Sequence, residues 1–500
     1  MNPVAAMVRW DVRLQRRYGF YTVYAVLTAF YVVAFVGLEL PASVAERGLV
    51  FIVLSDPAVL GFYFIAALVL IEKREGVLDA LVVSPLGVRG YLVSKVASLT
   101  LLAVVVATVL ALVVHPSGVN VPLLVLGVAL TSIPFVLVGF VSVARFDSIN
   151  DYFLSALLYG AVLYAPLLSF FGLFDTPVFY LLPVRPALIL IDGAFHGIRS
   201  VEFVYAVGYL SLGSLLAFAV AEREFHRHIV QHRPSRSETN GWNEAKSSRL
   251  GAVRDLGPVG GMALADGKKW FRDPLLLVAG TGPLLLALLA HVALPFLNQH
   301  YLPTISLVPY YPLVLGFVVT FPPYIYGFVV GFFVLEDREQ GVLAALRTTP
   351  LTGRGYLRYR GATAYLVGAA VTIPTVMLFG LVRVPPLVLV AVTVVVALAG
   401  PTITFLFAGL ARDSIEGVVI NKLLGLLLIV PVAGIALLPE PWQYVVGVVP
   451  LYWPVKALVA GVTDGIGLRF VAFLFLGVLS FGVSIRYLVR RFERMARDKR

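Results

Sequence analysis

The sequence predicts an all-α polytopic membrane protein made of two parallel six-helix repeats, twelve transmembrane helices in all, and three observations carry that prediction. Of its 500 residues, 59% are hydrophobic and 13% charged, with a mean hydropathy of +0.91, whereas soluble domains carry about 25% charge. Twelve apolar runs are long enough to cross a hydrocarbon core about 30 Å thick, which needs roughly 20 helical residues. A seventeen-residue strip occurs twice, at Gly76–Leu92 and Gly341–Leu357, with eleven positions identical and an offset of 265 residues.

The elements follow in chain order. Met1–Phe20 spreads Arg9, Arg13, Arg16 and Arg17 among apolar positions, without the short apolar core and small-residue cleavage site of a signal peptide. It reads as an interfacial helix, its basic side toward headgroups and Val8, Val12 and Leu14 toward acyl chains. The apolar runs lie near 18–38, 51–71, 92–114, 122–143, 152–173 and 201–221, then near 275–295, 313–335, 360–381, 385–410, 417–438 and 467–489. Between the fifth and sixth run of each half, 174–200 and 439–466 are apolar but broken by Pro and Gly. That pattern suits short helices dipping into the membrane where protein shields their backbone. Residues 223–270 form the one long polar stretch, rich in turn formers, and read as a cytoplasmic linker in which His226, His228 and His232 are solvated rather than metal ligands. The expected domains are a first transmembrane half at 1–222, this linker at 223–270 and a second half at 271–500.

Lys and Arg set the orientation, because positive charge stays on the cytoplasmic side. With both termini cytoplasmic, only Arg47, Arg185, Arg199, Arg383, Lys456 and Arg469 of the 39 basic residues fall outside. The net charge of +11 therefore reads as topology and contact with anionic headgroups, and no nucleic-acid module is expected. Cysteine is absent, which excludes disulfides and thiolate metal sites. Ala144-Arg145-Phe146-Asp147-Ser148-Ile149 answers Ala411-Arg412-Asp413-Ser414-Ile415 at nearly the same offset, so a whole unit is duplicated. Six spans per half is an even number, so both halves enter the membrane from the same side as parallel repeats.

Locally, Gly76 and Gly341 stand where a glycine in the left-handed region ends a helix. Val77–Val82 places Leu78, Leu81 and Val82 on one side and Asp79 on another, an amphipathic turn or two along the membrane surface. Ser84-Pro85 and Thr349-Pro350 supply a capping hydroxyl followed by proline at the first helical position of the next span. The strip is thus expected to be a short exposed helix beside Glu72-Lys73-Arg74-Glu75. Its surroundings match only loosely between halves, so it reads as a surface held to one geometry by something it touches. An ordinary basic loop is the other reading of either copy alone.

Asp337-Arg338-Glu339-Gln340-Gly341-Val342-Leu343 with Thr349-Pro350-Leu351 resembles the Glu-Arg-Glu-x-Gly-Thr-Leu and Thr-Pro-Leu pattern of ABC-2-type transporter permeases, and the resemblance covers nearly the whole chain. It implies a type V ABC exporter-like fold in which the strip is a coupling helix docking on a nucleotide-binding ATPase. The docking residues it implies are Glu72, Glu75, Gly76, Leu78, Leu81, Pro85 and Arg89 in the first half, and Asp337, Glu339, Gly341, Leu343, Leu346, Pro350 and Arg354 in the second. Arg89 and Arg354 are the foremost polar contacts, with headgroup binding as their other reading. Arg16-Arg17-Tyr18-Gly19-Phe20 and Arg272-Asp273-Pro274-Leu275-Leu276-Leu277, with both halves on one chain, are similar to the fluoroquinolone-exporter type of permease. Val77 and Val342 replace the usual threonine and Arg74 replaces the acid that Glu339 keeps, so the two docking sites are not expected to be equivalent.

The chain has no Gly-x-x-x-x-Gly-Lys-Ser/Thr phosphate loop. ATP and Mg are therefore expected in a separate ATPase, two subunits per chain, with no cofactor, metal or catalytic residue here. The resemblance places the protein in the plasma membrane of a prokaryote, exporting an amphipathic or hydrophobic small molecule, a drug such as a fluoroquinolone included. An ion-coupled secondary multidrug carrier would set ionisable groups at mid-membrane, whereas Asp56, Lys95, Glu202, Glu416, Lys422, Arg469 and Arg486 sit near span ends. Tyr21, Tyr24, Tyr159, Tyr324 and Tyr326, also at span ends, read as interfacial anchors rather than pocket lining. A membrane-embedded prenyltransferase-like enzyme rests on Asp147 and Asp151 alone, which Glu416 and Asn421 do not reproduce in the second half.

Overall fold

A sequence so apolar must satisfy its backbone internally, and the described residues do so almost wholly as helix. The computed structural model describes residues 3–37, 42–82, 84–115, 118–146, 149–230, 260, 266–267, 274–300, 306–342, 353–411 and 413–498. The chain divides into two units, Met1–Arg236 and Ser237–Arg500.

The first unit contains α1 (Pro3–Arg17), α2 (Phe20–Gly37) and α3 (Ala42–Val59), which passes through a π-helical turn at Leu60–Phe64 into α4 (Ile65–Arg74). Then come α5 (Val77–Val82), α6 (Gly87–Val114), α7 (Val121–Val143), α8 (Ile149–Leu163), α9 (Leu167–Phe170), α10 (Val184–His196) and α11 (Ser200–Phe225), prolonged by a π turn to Val230. The expected domain boundary at 222 thus falls inside a helix. The second unit contains α12 (Pro274–His300), α13 (Tyr311–Glu339), α14 (Gly353–Phe379), α15 (Pro386–Val396), α16 (Ala399–Leu410), α17 (Ser414–Leu424), α18 (Leu426–Leu437), α19 (Glu440–Gln443), α20 (Tyr452–Thr463) and α21 (Leu468–Asp498).

Among the described residues, ten helices are long and apolar enough to cross a membrane, α15–α16 and α17–α18 each counting as one. The two expected runs outside this set are 51–71, which the π turn divides, and 152–173, where α8 stops after 15 residues. The short helices expected at 174–200 and 439–466 are α10 and α20. Val184, Leu188 and Ile191 of the first and Tyr452, Val455 and Leu458 of the second are buried against the neighbouring helices, so protein shields their backbones.

In both units the second and fourth spans form the centre because their backbones touch. A Cβ on Gly139 of α7 would stand 2.7 Å from the Gly61 carbonyl oxygen, and one on Gly327 of α13 would stand 2.6 Å from that of Gly400. Nothing larger than glycine fits. Hydroxyls satisfy second-span carbonyls there, Tyr152 of α8 donating to Phe62 at 2.7 Å and Thr404 of the fourth span to Gly327 at 3.1 Å.

Two expectations about side chains change. Leu14 does not face acyl chains: with Asp11 and Gln15 it is buried in protein. Gln15 donates to Ser98 of α6 at 3.1 Å and accepts from Tyr21 at 3.1 Å, because a buried amide or carboxylate needs partners that lipid lacks. Likewise Tyr24, Tyr324 and Tyr326 are interior rather than interfacial. Tyr324 donates to the Asn421 side chain at 2.9 Å.

The run from α3 to α4 has Glu46 near one end and Glu72 at the other. Glu46 lies between two imidazoles, 3.2 Å from His115 Nε2 at the end of α6 and 3.0 Å from His196 Nε2 at the end of α10. Burial works against the His196 imidazolium, but Glu46 and Asp192 outweigh it and raise its pKa. The His196 hydrogen bond is the chief cause of the lowered Glu46 value. His196 therefore contributes stability in full below the ordinary imidazole value of about 6.5 and loses it as pH rises through its folded value. Glu46 contributes above the ordinary carboxyl range near 4.3 and loses it as pH falls through its lowered value. Thermal unfolding of the purified protein is expected to start at a lower temperature at about pH 8.5 than at about pH 6. His196→Gln is expected to remove most of that difference.

Candidate functional site at the base of the repeated strip

The strip begins where a helix is stopped. Gly76 and Gly341 have φ of +67° and +74°, and their N–H groups bond back to the carbonyls of Lys73 and Arg338 at 3.2 and 3.3 Å. Only glycine takes that conformation at little cost. In the first unit α5 then lies against α4, α6 and the turn beyond α11. Leu78 and Leu81 are buried under it, while Glu75, Gly76, Ala80, Pro85 and Arg89 are exposed. Ser84 does not cap the next span. Its hydroxyl donates to Leu81 O at 2.9 Å and accepts from Leu86 N at 3.3 Å, closing a turn after α5, and α6 starts at Gly87. In the second unit Gly341 and Arg354 are exposed, whereas Leu343, Leu346 and Pro350 lie outside the described residues.

Just before the glycine, adjacent side chains turn inward to different spans. Glu72, 1% exposed, accepts from Tyr91 Oη at 2.7 Å and from Lys95 Nζ at 2.5 Å. Lys95, also 1% exposed, donates to Asp11 of α1 at 2.5 Å. Burial pushes the Asp11 carboxyl upward and Lys95 opposes the shift. The next residue, Lys73, donates to Ala144 O and Phe146 O at 2.7 and 2.8 Å. It thereby satisfies carbonyls at the end of α7, where a cation also suits the helix dipole.

The second unit repeats this 265 residues on. Asp337 accepts from Tyr356 Oη and from Arg360 Nη2, the latter at 2.8 Å, and Arg360 Nη1 donates to Asp266 at 2.9 Å. Tyr359 Oη donates to the same Asp266 oxygen at 2.6 Å. Arg338 donates to Ala411 O at 2.8 Å and Ala408 O at 2.6 Å, at the end of α16. Glu339 adds a third tie, accepting from Ser414 N at 2.6 Å at the start of α17.

Of the expected docking residues, Glu72 and Asp337 are therefore committed to their own unit, and Glu339 holds the start of α17. Leu78 and Leu81 seat α5 on its unit. Arg89 is outward, its side chain 78% exposed while Nε holds Glu222 of α11 at 2.8 Å. The expected set missed Lys73, Lys95 and Tyr91 with their counterparts Arg338, Arg360 and Tyr356, although each pair stands at the strip's own offset. Asp151 belongs to α8, but its side chain and all of Asp147 lie outside what is described. Among the described residues, no group of three or more His, Asp and Glu is placed to hold a metal. The described side chains of this site hold spans together and leave Glu75, Ala80, Pro85 and Arg89 exposed in the first unit.

Comparison with known proteins resolves the two halves separately. Residues 2–233 match the fluoroquinolones export permease protein family, and residues 266–489 match the family described as fluoroquinolones export permease protein Rv2686c-like. The fluoroquinolones export permease protein Rv2687c of Mycobacterium tuberculosis (strain H37Rv) is 31% identical over 234 residues, 46% of this chain and 98% of that protein. The permease protein Rv2686c of the same strain is 31% identical over 198 residues, 37% of this chain and 76% of that protein. No solved structure matches.

Arg338 carries two hydrogen bonds to helix-end carbonyls, and a charged bond of this kind contributes about 1.5–3 kcal/mol. Arg338→Met is expected to lower the unfolding midpoint of the purified protein clearly, and Arg338→Lys by less. Arg354→Met, a change at an exposed position, should lower it less than Arg338→Met.

Proposed function

The chain belongs to the fluoroquinolone export permease family, with one family match in each half, and from that premise we propose that it is the membrane permease of an ATP-driven exporter. As a family member it is a transporter component rather than an enzyme. The finer reading is a type V-like arrangement of twelve spans in two parallel repeats, both termini cytoplasmic, in the plasma membrane of a prokaryote. Two subunits of a separate ATPase, holding ATP and Mg, dock on the strips around Gly76–Arg89 and Gly341–Arg354. Their closure rocks the halves to release cargo outward. The cargo is an amphipathic or hydrophobic small molecule, and the names of the relatives make a fluoroquinolone the first to try.

The observation that carries this reading is the twice-built strip. A left-handed glycine stops the second span in each unit, and inward-facing charges just before it tie that point to neighbouring spans. In the first unit, what remains for a partner is a compact surface of Glu75, Ala80, Pro85 and Arg89. The revised docking set is therefore the exposed one, with Arg354 in the second unit, and it no longer includes Glu72 or Asp337. An ordinary loop needs no such anchorage. That the sequence holds no Gly-x-x-x-x-Gly-Lys-Ser/Thr phosphate loop supports assigning ATP hydrolysis to another chain.

Gentle solubilisation from native membrane followed by affinity capture tests this. A soluble ATPase is expected in stoichiometric amount, and Arg89→Glu with Arg354→Glu is expected to release it. Capture without any ATPase, with the chain alone moving drug on an ion gradient, would instead make it a secondary carrier.

A further inference from the structure

The sites described so far leave open why ions, rather than apolar side chains, hold the strip's base. A buried ion cluster can often be replaced by well-packed apolar side chains with no loss of stability, whereas removing one member strands an unpaired charge. In a chain that is 59% hydrophobic, an apolar contact is the obvious way to join two helices. Yet the same ionic arrangement is built twice. Glu72, Tyr91 and Lys95 recur as Asp337, Tyr356 and Arg360 at one offset of 265 residues. The fourth member does not. Asp11 sits on α1, but the carboxylate that completes the second cluster is Asp266, 255 residues later, from a place in the chain that the repeat does not predict. What recurs is the chemistry, a cation clamped between two carboxylates, even where the residue supplying it is not equivalent.

An apolar contact leaves the choice of partner atoms open, because its energy is non-directional. A cation shared between two carboxylates does not: displacing any one member by an ångström or two exposes the others to an uncompensated charge. We infer that Lys95 and Arg360 are positioning residues for coupling, each fastening the base of a strip to the third span of its unit and to the polypeptide that precedes the first span, so that all three move as one body when a partner displaces the strip. This rests on the reading that the strip docks an ATPase and names how the push is passed on. The two clusters differ in wetness. Asp11, Glu72 and Lys95 are 0–1% exposed, whereas the Arg360 side chain is 9% and its two carboxylates 20% exposed. Water can partly replace a lost partner in the second cluster, so substitution at Lys95 has the larger effect.

The test uses the full chain with its co-purified ATPase, and the absence of native cysteine makes labelling direct. Spin labels at Ala80→Cys on α5 of the strip and Val113→Cys at the far end of α6 report the spacing between strip and third span. With the native cluster that spacing is expected to be the same in the nucleotide-free and vanadate-trapped states. In Lys95→Met the ATPase still co-purifies, but trapping shifts or broadens the distribution, and Lys95→Arg restores it. A Lys95→Met complex whose spacing stays fixed in both states overturns the inference, as does failure of Lys95→Arg to restore. Should Lys95→Met not fold, the charge-free combination Asp11→Asn, Glu72→Gln, Lys95→Met is expected to fold and to show the same loss, and fixed spacing there is equally fatal. A native chain that brings down no ATPase overturns the docking reading and this inference with it, a result distinct from an intact complex indifferent to Lys95.

Discussion

A cation held between two carboxylates, fully buried in the first unit and mostly buried in the second, is the constraint on which each unit's architecture turns. Lys95 with Asp11 and Glu72, and Arg360 with Asp266 and Asp337, tie the end of the second span to the third. Breaking a buried pair by removing one partner costs about 3–5 kcal/mol, a large part of the roughly 5–15 kcal/mol that stabilises a typical domain. The strip between those spans is therefore held at its base whatever its tip meets. Lys73 and Arg338 extend the hold to the fourth span through its last carbonyls, so one short stretch of chain gathers three spans.

The rest of each unit supports that gathering. Glycines let the second and fourth spans meet backbone to backbone, which leaves little room for either to shift against the other, since close-packed interiors transmit displacement rather than absorb it. In the first unit the far end of the second span is held as well, by Glu46 between His115 and His196. A span fixed at both ends and tightly packed between them suits a lever better than a flexible tether. In the proposed function, with energy supplied by another chain, such a lever would connect the docking surface to the cargo path.

Much of this was legible in the sequence, and what was not has physical causes. Hydropathy exposes long apolar helices directly, and an internal repeat exposes duplication, so the helical class, the paired halves and the helix-stopping role of Gly76 and Gly341 could all be read. Hydropathy does not see a π turn, and the run at 51–71 is divided at Leu60–Phe64, which contains Gly61, the glycine that packs on α7. Nor does it show where a charge points. Glu72 and Asp337, next to basic residues at a span end, look like loop residues, because Lys95 is 23 residues from Glu72 and 84 from Asp11. Following the 265-residue offset three places past the strip would have paired Lys95 with Arg360. Asp266 obeys no offset, and only the folded chain brings it in.

Cross-linking from the strip itself reaches the central claim most directly. With cysteine introduced at Ala80 or Pro85, both exposed in the first strip, and separately at Arg354 in the second, a short bifunctional reagent in native membranes should join the chain to an ATPase from both strips. Cysteine at Val201, exposed at the start of α11, should give no such product. An ATPase linked only from elsewhere, or no ATPase linked at all while Ala80→Cys and Pro85→Cys chains remain active exporters, would contradict the strip as the docking surface.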